Sequence, residues 1–279
     1  MHFEQVIFCG GGNRCFWQAG FWSALAPALH RPPSGVVAVS AGAAMACALF
    51  AGTFPGGFEA HKRAVSGNPH NLHVRNLLKK AKPLFPHGAM YRAAILASID
   101  AAALSRLHAG PELRIVVAHP PPWAGGRLAV LLGAVSLSVD AWNSDALDAP
   151  AARRLGFKPV YVPVRECSTP DELADLILAS SCVPPLTPRA QRSGIAVLDG
   201  GLVANVPTDL SRRQGGRTLV LLSRRFGKLP AMADHTFVQP SAPIPAGTWD
   251  YTNDARLQAA FELGCKDGTA YANAQAAKS

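Results

Sequence analysis

The fold is decided by residues 5–50, QVIFCGGGNRCFWQAGFWSALAPALHRPPSGVVAVSAGAAMACALF. A short apolar strand at Gln5–Cys9 ends in three glycines, and Cys15–Leu29 then has a helical pattern. A second strand, Val36–Val39, leads through Ser40 into an Ala-rich helix. Two strand–turn–helix units in succession are typical of a parallel sheet with helical crossovers, so this stretch predicts an α/β fold.

Further strands and helices are expected along the rest of the chain. One helix is predicted at Pro170–Ala179, with Thr169 as its N-cap and Glu172 at the capping-box position. A second helix is predicted over residues 253–276. Short apolar runs predict strands at Leu113–Ala118, Leu128–Leu132, Pro159–Val164, Ile195–Leu198 and Thr218–Leu222.

The composition is that of a folded chain. Of the 279 residues, 49% are apolar and 16% are charged, the opposite of the balance that produces disorder. The net charge of +9 favours an anionic partner, either phosphate-bearing lipid or nucleic acid. The six cysteines lack a C-x-x-C spacing, which argues against a metal ribbon or a disulfide framework. We expect one domain, residues 1–279, in which residues 53–110 form a basic, helical insertion beside the sheet.

Ala38-Val39-Ser40-Ala41-Gly42 is a candidate nucleophile elbow of the G-x-S-x-G type, with alanine in place of the first glycine. Small neighbours let a strand turn sharply into a helix, so that the serine Oγ projects at the helix N-terminus. The helix dipole favours developing negative charge there. A serine between small residues is also common in ordinary turns, but its place between a strand and a helix favours a nucleophile.

Gly10-Gly11-Gly12 lies at another junction between a strand and a helix. Glycines allow backbone N–H groups to approach a ligand closely, so a phosphate cradle and an oxyanion hole both fit. A dinucleotide-binding pattern would need glycine where Cys15 stands, and the Gly-Lys-Ser/Thr of a P-loop is absent. An oxyanion hole is therefore the favoured function, with a plain tight turn as the alternative.

Asp199-Gly200-Gly201 follows the predicted strand Ile195–Leu198. A carboxylate at a strand end can be presented into a cleft, and within reach of Ser40 it would accept the hydroxyl proton. An Asp-Gly pair is also a common turn signal. Asp199 is therefore a candidate base only in combination with the Ser40 elbow and the glycine loop.

Together the three segments resemble the patatin-like phospholipase family. Residues 10–20 match that family's opening block at its glycines and at Arg14, and residues 199–207 match its aspartate block. Residues 179–185 are similar to the family's segment shortly before that aspartate. The resemblance spreads over residues 6–207.

The resemblance implies an α/β fold, a three-layer α/β/α sandwich with a central, mostly parallel sheet, and a Ser–Asp dyad without histidine. Ser40 would attack a lipid ester, Asp199 would act as the base, and Gly10, Gly11 and Gly12 would form the oxyanion hole. The implied substrate is a phospholipid, a lysophospholipid or a related acyl ester, and no cofactor or metal is implied. The supporting positions are Arg14, Gly42, Gly200 and Gly201.

Two residues depart from the family pattern. Ala38 adds a methyl group where strand and helix pack closest, which is tolerable if its φ is not positive. Cys15 replaces a glycine and would narrow the oxyanion loop. A weakly active or inactive lipid-binding relative therefore stays open as an alternative. Thioester hydrolysis or acyl transfer would use the same residues.

A catalytic triad is the second alternative. His235 is the only histidine after Asp199, so an α/β-hydrolase triad of Ser40, Asp199 and His235 is formally possible. That fold usually places its serine after more strands, which disfavours the triad.

A basic segment around residues 74–82 is a candidate lipid-binding surface. Val74, Leu77, Leu78 and Ala81 would share one helical face, surrounded by the basic residues Arg75, Lys79, Lys80 and Lys82. Such a helix would dock on anionic lipid, or it would be a solvated helix packed on the core. Nucleic acid is disfavoured because no binding motif accompanies the charge. With no signal peptide and no transmembrane run in the sequence, we expect a cytoplasmic protein with peripheral membrane contact.

Overall fold

The structure is a computed structural model that describes residues 1–78, 84–126, 128–133 and 150–277. Its eight strands form one mixed sheet. They are β1 (Gln5–Phe8), β2 (Gly35–Val39), β3 (Glu112–His119), β4 (Lys158–Pro163), β5 (Ala190–Arg192), β6 (Ile195–Asp199), β7 (Thr218–Leu221) and β8 (His235–Val238).

Five neighbouring strands of the sheet are parallel, in the order β8-β7-β1-β2-β3. β4 pairs antiparallel with one edge of β3. β6 pairs antiparallel with the last residues of β3, and β5 pairs antiparallel with β6. The mostly parallel sheet expected from the sequence is confirmed by these pairings, and the connections from β1 to β2 and from β2 to β3 carry helices.

Residues 128–133 are helical, and ten other α-helices have both ends in the described part of the chain. They are α1 (Phe16–Leu25), α2 (Ala41–Phe50), α3 (Phe54–Ser66), α4 (His87–Ser98), α5 (Ala101–Ala109), α6 (Pro150–Arg154), α7 (Pro170–Ser180), α8 (Gly201–Ala204), α9 (Thr208–Gln214) and α10 (Asp254–Ala276). A 3₁₀ turn at Gly12–Cys15 precedes α1. The described residues between 53 and 110 are helical or turn-forming without a strand, as expected.

The sheet is buried on both faces. Along β1 the side chains alternate, so that Val6 and Phe8 join a core formed with α1, α2 and α3. Ile7 joins a second core on the other face, which includes Leu202 and Val203 of α8. Helices on both faces are what a parallel sheet requires.

One predicted strand is wrong: residues 128–133, which include the run Leu128–Leu132, are helical. The amide of Ala129 donates to the Gly125 carbonyl at 2.9 Å, a helical i to i−4 bond. A short apolar run does not distinguish a strand from a helical segment by its periodicity. The short strands β5 and β8 were not anticipated from the sequence.

Helix α7 begins as the sequence predicts. Thr169 is its N-cap, and its Oγ1 accepts a hydrogen bond from the Glu172 amide at 3.2 Å. The Glu172 carboxylate accepts from the amide of Ser168, one residue before the predicted donor. The N-terminus of the helix is therefore fixed by its cap, and the helix ends at Ser180.

Candidate active site

One edge of β3 brings two chain turns together. β2 pairs with β3 as far as Val39 opposite Val116, and β6 pairs with β3 at Asp199 opposite Val117. β4 occupies the other edge of β3 at these positions, so β2 and β6 follow each other along the same edge. Ser40, the next residue after β2, therefore meets the end of β6.

Ser40 and Asp199 form a buried hydrogen bond. The Ser40 Oγ donates to Asp199 Oδ2 at 2.7 Å, and the two residues are 7% and 8% exposed. The other carboxylate oxygen, Oδ1, accepts from the amide of Gly201 at 2.7 Å. Both oxygens of the carboxylate are thus fixed, and the hydroxyl is held in an orientation suited to proton transfer.

Ser40 has φ 52° and ψ −132°, in a region that side-chain-bearing residues rarely adopt. Such local strain is characteristic of functional turns. The amide of Ser40 donates to Ser180 Oγ at 2.8 Å, and Ser180 Oγ donates to the Val116 carbonyl at 2.5 Å. Ser180, which is fully buried, therefore ties the strained turn to β3. The sequence resemblance includes Ser180 within residues 179–185, but it does not predict this connection between the Ser40 turn and β3.

Burial raises the pKa of Asp199 to about 6, while its hydrogen bonds from Ser40 and Gly201 act in the lowering direction. A carboxylate with a pKa near 6 is mostly ionised at neutral pH and is a stronger base than an exposed aspartate. The site therefore holds a base whose proton affinity lies close to the working pH.

The glycine loop passes beside Ser40. A Cβ at Gly10 would lie 3.3 Å from the Ser40 Cβ, and one at Gly11 would collide with Ser223. Gly12 has φ +57°, which favours glycine. Within the described residues the backbone N–H groups of Gly10, Gly11 and Gly12 donate to no acceptor. The loop therefore offers backbone donors without a described acceptor, and Gly10 brings it beside Ser40.

The C-terminal segment clamps this loop. The Asn13 amide donates to the Thr248 carbonyl at 3.1 Å, and its side chain donates to the Asp250 carbonyl at 2.7 Å. A Cβ at Gly12 would lie 2.2 Å from the Thr248 oxygen. Sequence reasoning missed this segment because backbone carbonyls leave no signature in residue type.

The supporting residues lie around the pair and the loop. The Arg14 Nε donates to the Gly11 carbonyl at 3.4 Å, and burial lowers the pKa of this guanidinium. Gly42 packs on β1, where a Cβ would lie 2.6 Å from two carbonyl oxygens, and a Cβ at Gly200 would lie 2.2 Å from the carbonyl oxygen of β3 residue Val116. Gly201 supplies the amide bonded to the carboxylate.

The two departures from the family pattern are accommodated. Ala38 is fully buried within β2, and Ser40 and Ser193 are the only described residues other than glycine with positive φ. The Cys15 side chain packs below the loop, with its Sγ 3.4 Å from the Cys9 carbonyl oxygen. Burial raises the pKa of the Cys15 thiol, so it stays protonated.

His235 lies far from Ser40. It begins β8, three strands from β2 at about 4.8 Å per strand, and stands at the end of the sheet opposite to Ser40. Its Nε2 is 2.8 Å from Ser211 Oγ, a partner unrelated to the Ser–Asp pair. The Ser40/Asp199/His235 triad is therefore excluded by geometry.

Two cavities flank the pair. One begins at Gly12 and Ala41 and is lined by apolar residues of α2, α3 and α4. The other includes Asp199 and is lined by Cys182 and Leu198. The first cavity thus adjoins Ala41, the residue after Ser40, and the second adjoins Asp199.

The basic segment is described only in part. Residues 74–78 form a 3₁₀ turn that includes Arg75, and Val74 is 57% exposed, not packed on a core. The predicted lipid-facing residues Lys79, Lys80 and Lys82 lie outside the described residues.

In the described ranges, no three His, Cys, Asp or Glu side chains form a group suited to a metal ion. Over the same ranges, every helix is too short or too polar to cross a bilayer.

The fold and the site place the chain among α/β proteins that carry a serine elbow at the edge of a mostly parallel sheet. The sequence matches the family model described as Patatin-like phospholipase over residues 6–211, well over half of the chain, so the protein belongs to that family. A crystal structure of VipD from Legionella pneumophila is similar, at 12% identity and a TM-score of 0.44. That match covers 98% of this chain and 67% of VipD. No curated protein matches the sequence significantly.

Proposed function

We propose that this protein is a serine acyl hydrolase that cleaves lipid esters, of the phospholipase A or lysophospholipase type. The observation that carries the proposal is the buried 2.7 Å hydrogen bond from Ser40 Oγ to Asp199 Oδ2. Membership of the patatin-like phospholipase family supports a lipid ester as the substrate.

In the first half-reaction Ser40 Oγ attacks the ester carbonyl carbon while its proton passes to Asp199 Oδ2. The carbonyl oxygen becomes an oxyanion, which the free N–H groups of Gly10, Gly11 and Gly12 stabilise. When the intermediate collapses, the bond to the alcohol oxygen breaks and Asp199 returns the proton to that oxygen. The acyl group stays on Ser40.

In the second half-reaction water attacks the acyl-enzyme and gives its proton to Asp199. Collapse releases the acid, and the proton returns to Ser40 Oγ. A base with a pKa of about 6 can take and return the proton in both half-reactions near neutral pH. No cofactor takes part in either step.

The acyl chain and the leaving group occupy different sides of the serine in this proposal. The apolar cavity along α2 suits the acyl chain, and the cavity at Asp199 suits the alcohol that receives the proton. The net charge of +9 and the basic stretch around Arg75 favour peripheral contact with an anionic membrane from the cytoplasm. The whole chain would act as one domain.

The test is hydrolysis of p-nitrophenyl esters by the wild type, Ser40→Ala and Asp199→Asn. We expect both substitutions to abolish turnover and His235→Ala to leave it unchanged, since His235 bonds to Ser211. Wild-type turnover no higher than that of Ser40→Ala would contradict the proposal and favour a lipid-binding protein.

A further inference from the structure

The apolar cavity beside Ser40, called the α2 pocket here, has the form of a chain-binding pocket. One side is formed by Ala41, Ala44, Met45 and Ala48, which share a face of α2, and the other includes Phe54 and Phe58 of α3. From Ala41 to Ala48 it extends about 10 Å, at ~1.5 Å per residue. Its volume is about 560 Å³ when the space open to solvent is counted.

One lining residue is polar and lacks a partner. His61 is 4% exposed, and its ring Nδ1 has no hydrogen-bond partner among the described residues. Phe16 stacks on the imidazole at 5.5 Å between ring centroids, and Tyr251 approaches edge-on at 5.4 Å. Burial lowers the pKa of His61 to about 4, so the ring is neutral at neutral pH and offers one donor and one acceptor.

His61 lies near the glycine loop, because Tyr251, whose ring contacts the imidazole, follows Asp250, and the Asp250 carbonyl accepts the Asn13 side chain. α3 starts beside the far end of α2, where the Thr53 amide donates to the Ala48 carbonyl at 2.9 Å. His61 is about two helical turns further along α3, against Phe16. Phe16 directly follows the turn Gly12–Cys15, which also borders the serine.

We propose that the α2 pocket receives an acyl chain that carries a hydroxyl group close to its ester carbonyl, and that the His61 imidazole hydrogen-bonds that hydroxyl. The proposal rests on the acyl-hydrolase function and names the class of acyl group for the same site. A hydroxyl both donates and accepts, so it matches either ring nitrogen. A plain alkyl chain would displace water from the imidazole and leave it buried without a partner, which disfavours that substrate.

The test compares p-nitrophenyl 3-hydroxydecanoate with p-nitrophenyl decanoate, which have the same chain length. For the wild type we expect kcat/KM to be about tenfold higher for the hydroxyl-bearing ester, the ratio one hydrogen bond provides. His61→Phe should remove the preference by lowering kcat/KM for the hydroxyl-bearing ester, whereas His61→Gln should retain part of the preference. Phe58→Leu, a change in the same wall without a polar atom, should affect both esters equally.

Binding separates this inference from the proposed function. Calorimetry with Ser40→Ala should show tighter binding of free 3-hydroxydecanoate than of decanoate. Equal affinities, or a preference that survives in His61→Phe, would overturn the role of His61 even if the wild type hydrolyses both esters. If the binding preference depends on His61 but the wild type hydrolyses neither ester, the role of His61 is supported and only the proposed hydrolase activity is contradicted.

Discussion

The hydroxyl of Ser180 accepts the amide of Ser40 at 2.8 Å and so holds the left-handed turn from which the proposed nucleophile projects. The same hydroxyl donates to the Val116 carbonyl of β3. One side chain at the end of α7 thus connects the elbow to the strand that also pairs with the residue of the proposed base. The geometry of the Ser–Asp pair depends on this connection.

Replacement of Ser180 by alanine should therefore impair catalysis and stability together. The Ser40 amide would lose its acceptor in a buried place, which costs about 1–3 kcal/mol. We expect kcat for ester hydrolysis to fall at least tenfold with a smaller change in KM, because the elbow would relax. Ser105→Ala is the matched control, since Ser105 makes only a helical bond to the Ala101 carbonyl on an exposed face. Wild-type kcat in Ser180→Ala would show that the elbow holds its shape without this bond.

The rate of hydrolysis should depend on pH through Asp199. Since burial raises the pKa of this carboxyl to about 6, the base form is lost as the pH falls through that value. We expect kcat/KM to fall about tenfold per pH unit well below pH 6 and to be level near pH 7.5. A profile that stays level down to pH 4.5 would contradict Asp199 as the base.

The same raised pKa predicts a stability difference. A carboxyl that binds its proton more tightly in the folded state stabilises the fold at low pH, and that contribution is lost as the pH rises through about 6. Asp199→Asn does not titrate, so its stability relative to the wild type should increase between pH 4 and pH 8. The expected increase is about 2–3 kcal/mol, from ~1.4 kcal/mol for each unit of pKa shift. Urea unfolding of both proteins at the two pH values measures it. A constant difference would contradict the raised pKa.

The Ser40–Asp199 pair was predictable from the sequence, whereas the contacts that hold the surrounding loops were only partly predictable. Ser40 and Asp199 stand in local patterns, a strand followed by small residues and a helix, and a strand followed by two glycines. Such turn chemistry can be recognised in a few residues. The contact of Asn13 with Asp250 joins positions 237 residues apart and uses a backbone carbonyl, so no residue type signals it. The strand expected at Leu128–Leu132 failed for a different reason, because a short apolar run does not distinguish a strand from a helical segment.

The glycine loop provides the last prediction, through a pair of glycines that both have a positive φ but differ in their surroundings. Gly12 and Gly52 have φ +57° and +70°. A Cβ at Gly52 would meet nothing within 4 Å, whereas one at Gly12 would lie 2.2 Å from the Thr248 carbonyl oxygen. Gly52→Ala should cost only the strain of the left-handed conformation, about 1–2 kcal/mol, with normal turnover.

Gly12→Ala carries the same strain and must also push the loop away from Thr248, which accepts the Asn13 amide. The N–H groups that would bind the oxyanion would move with the loop, and removal of one such donor costs roughly 100-fold or more in kcat. We therefore expect kcat to fall at least 100-fold in Gly12→Ala and to stay within about twofold in Gly52→Ala. Esterase assays on the two purified variants, with thermal unfolding as the measure of stability, make the comparison. Equal kcat in both would mean that the contact with Thr248 does not set the loop, and that the oxyanion donors lie elsewhere.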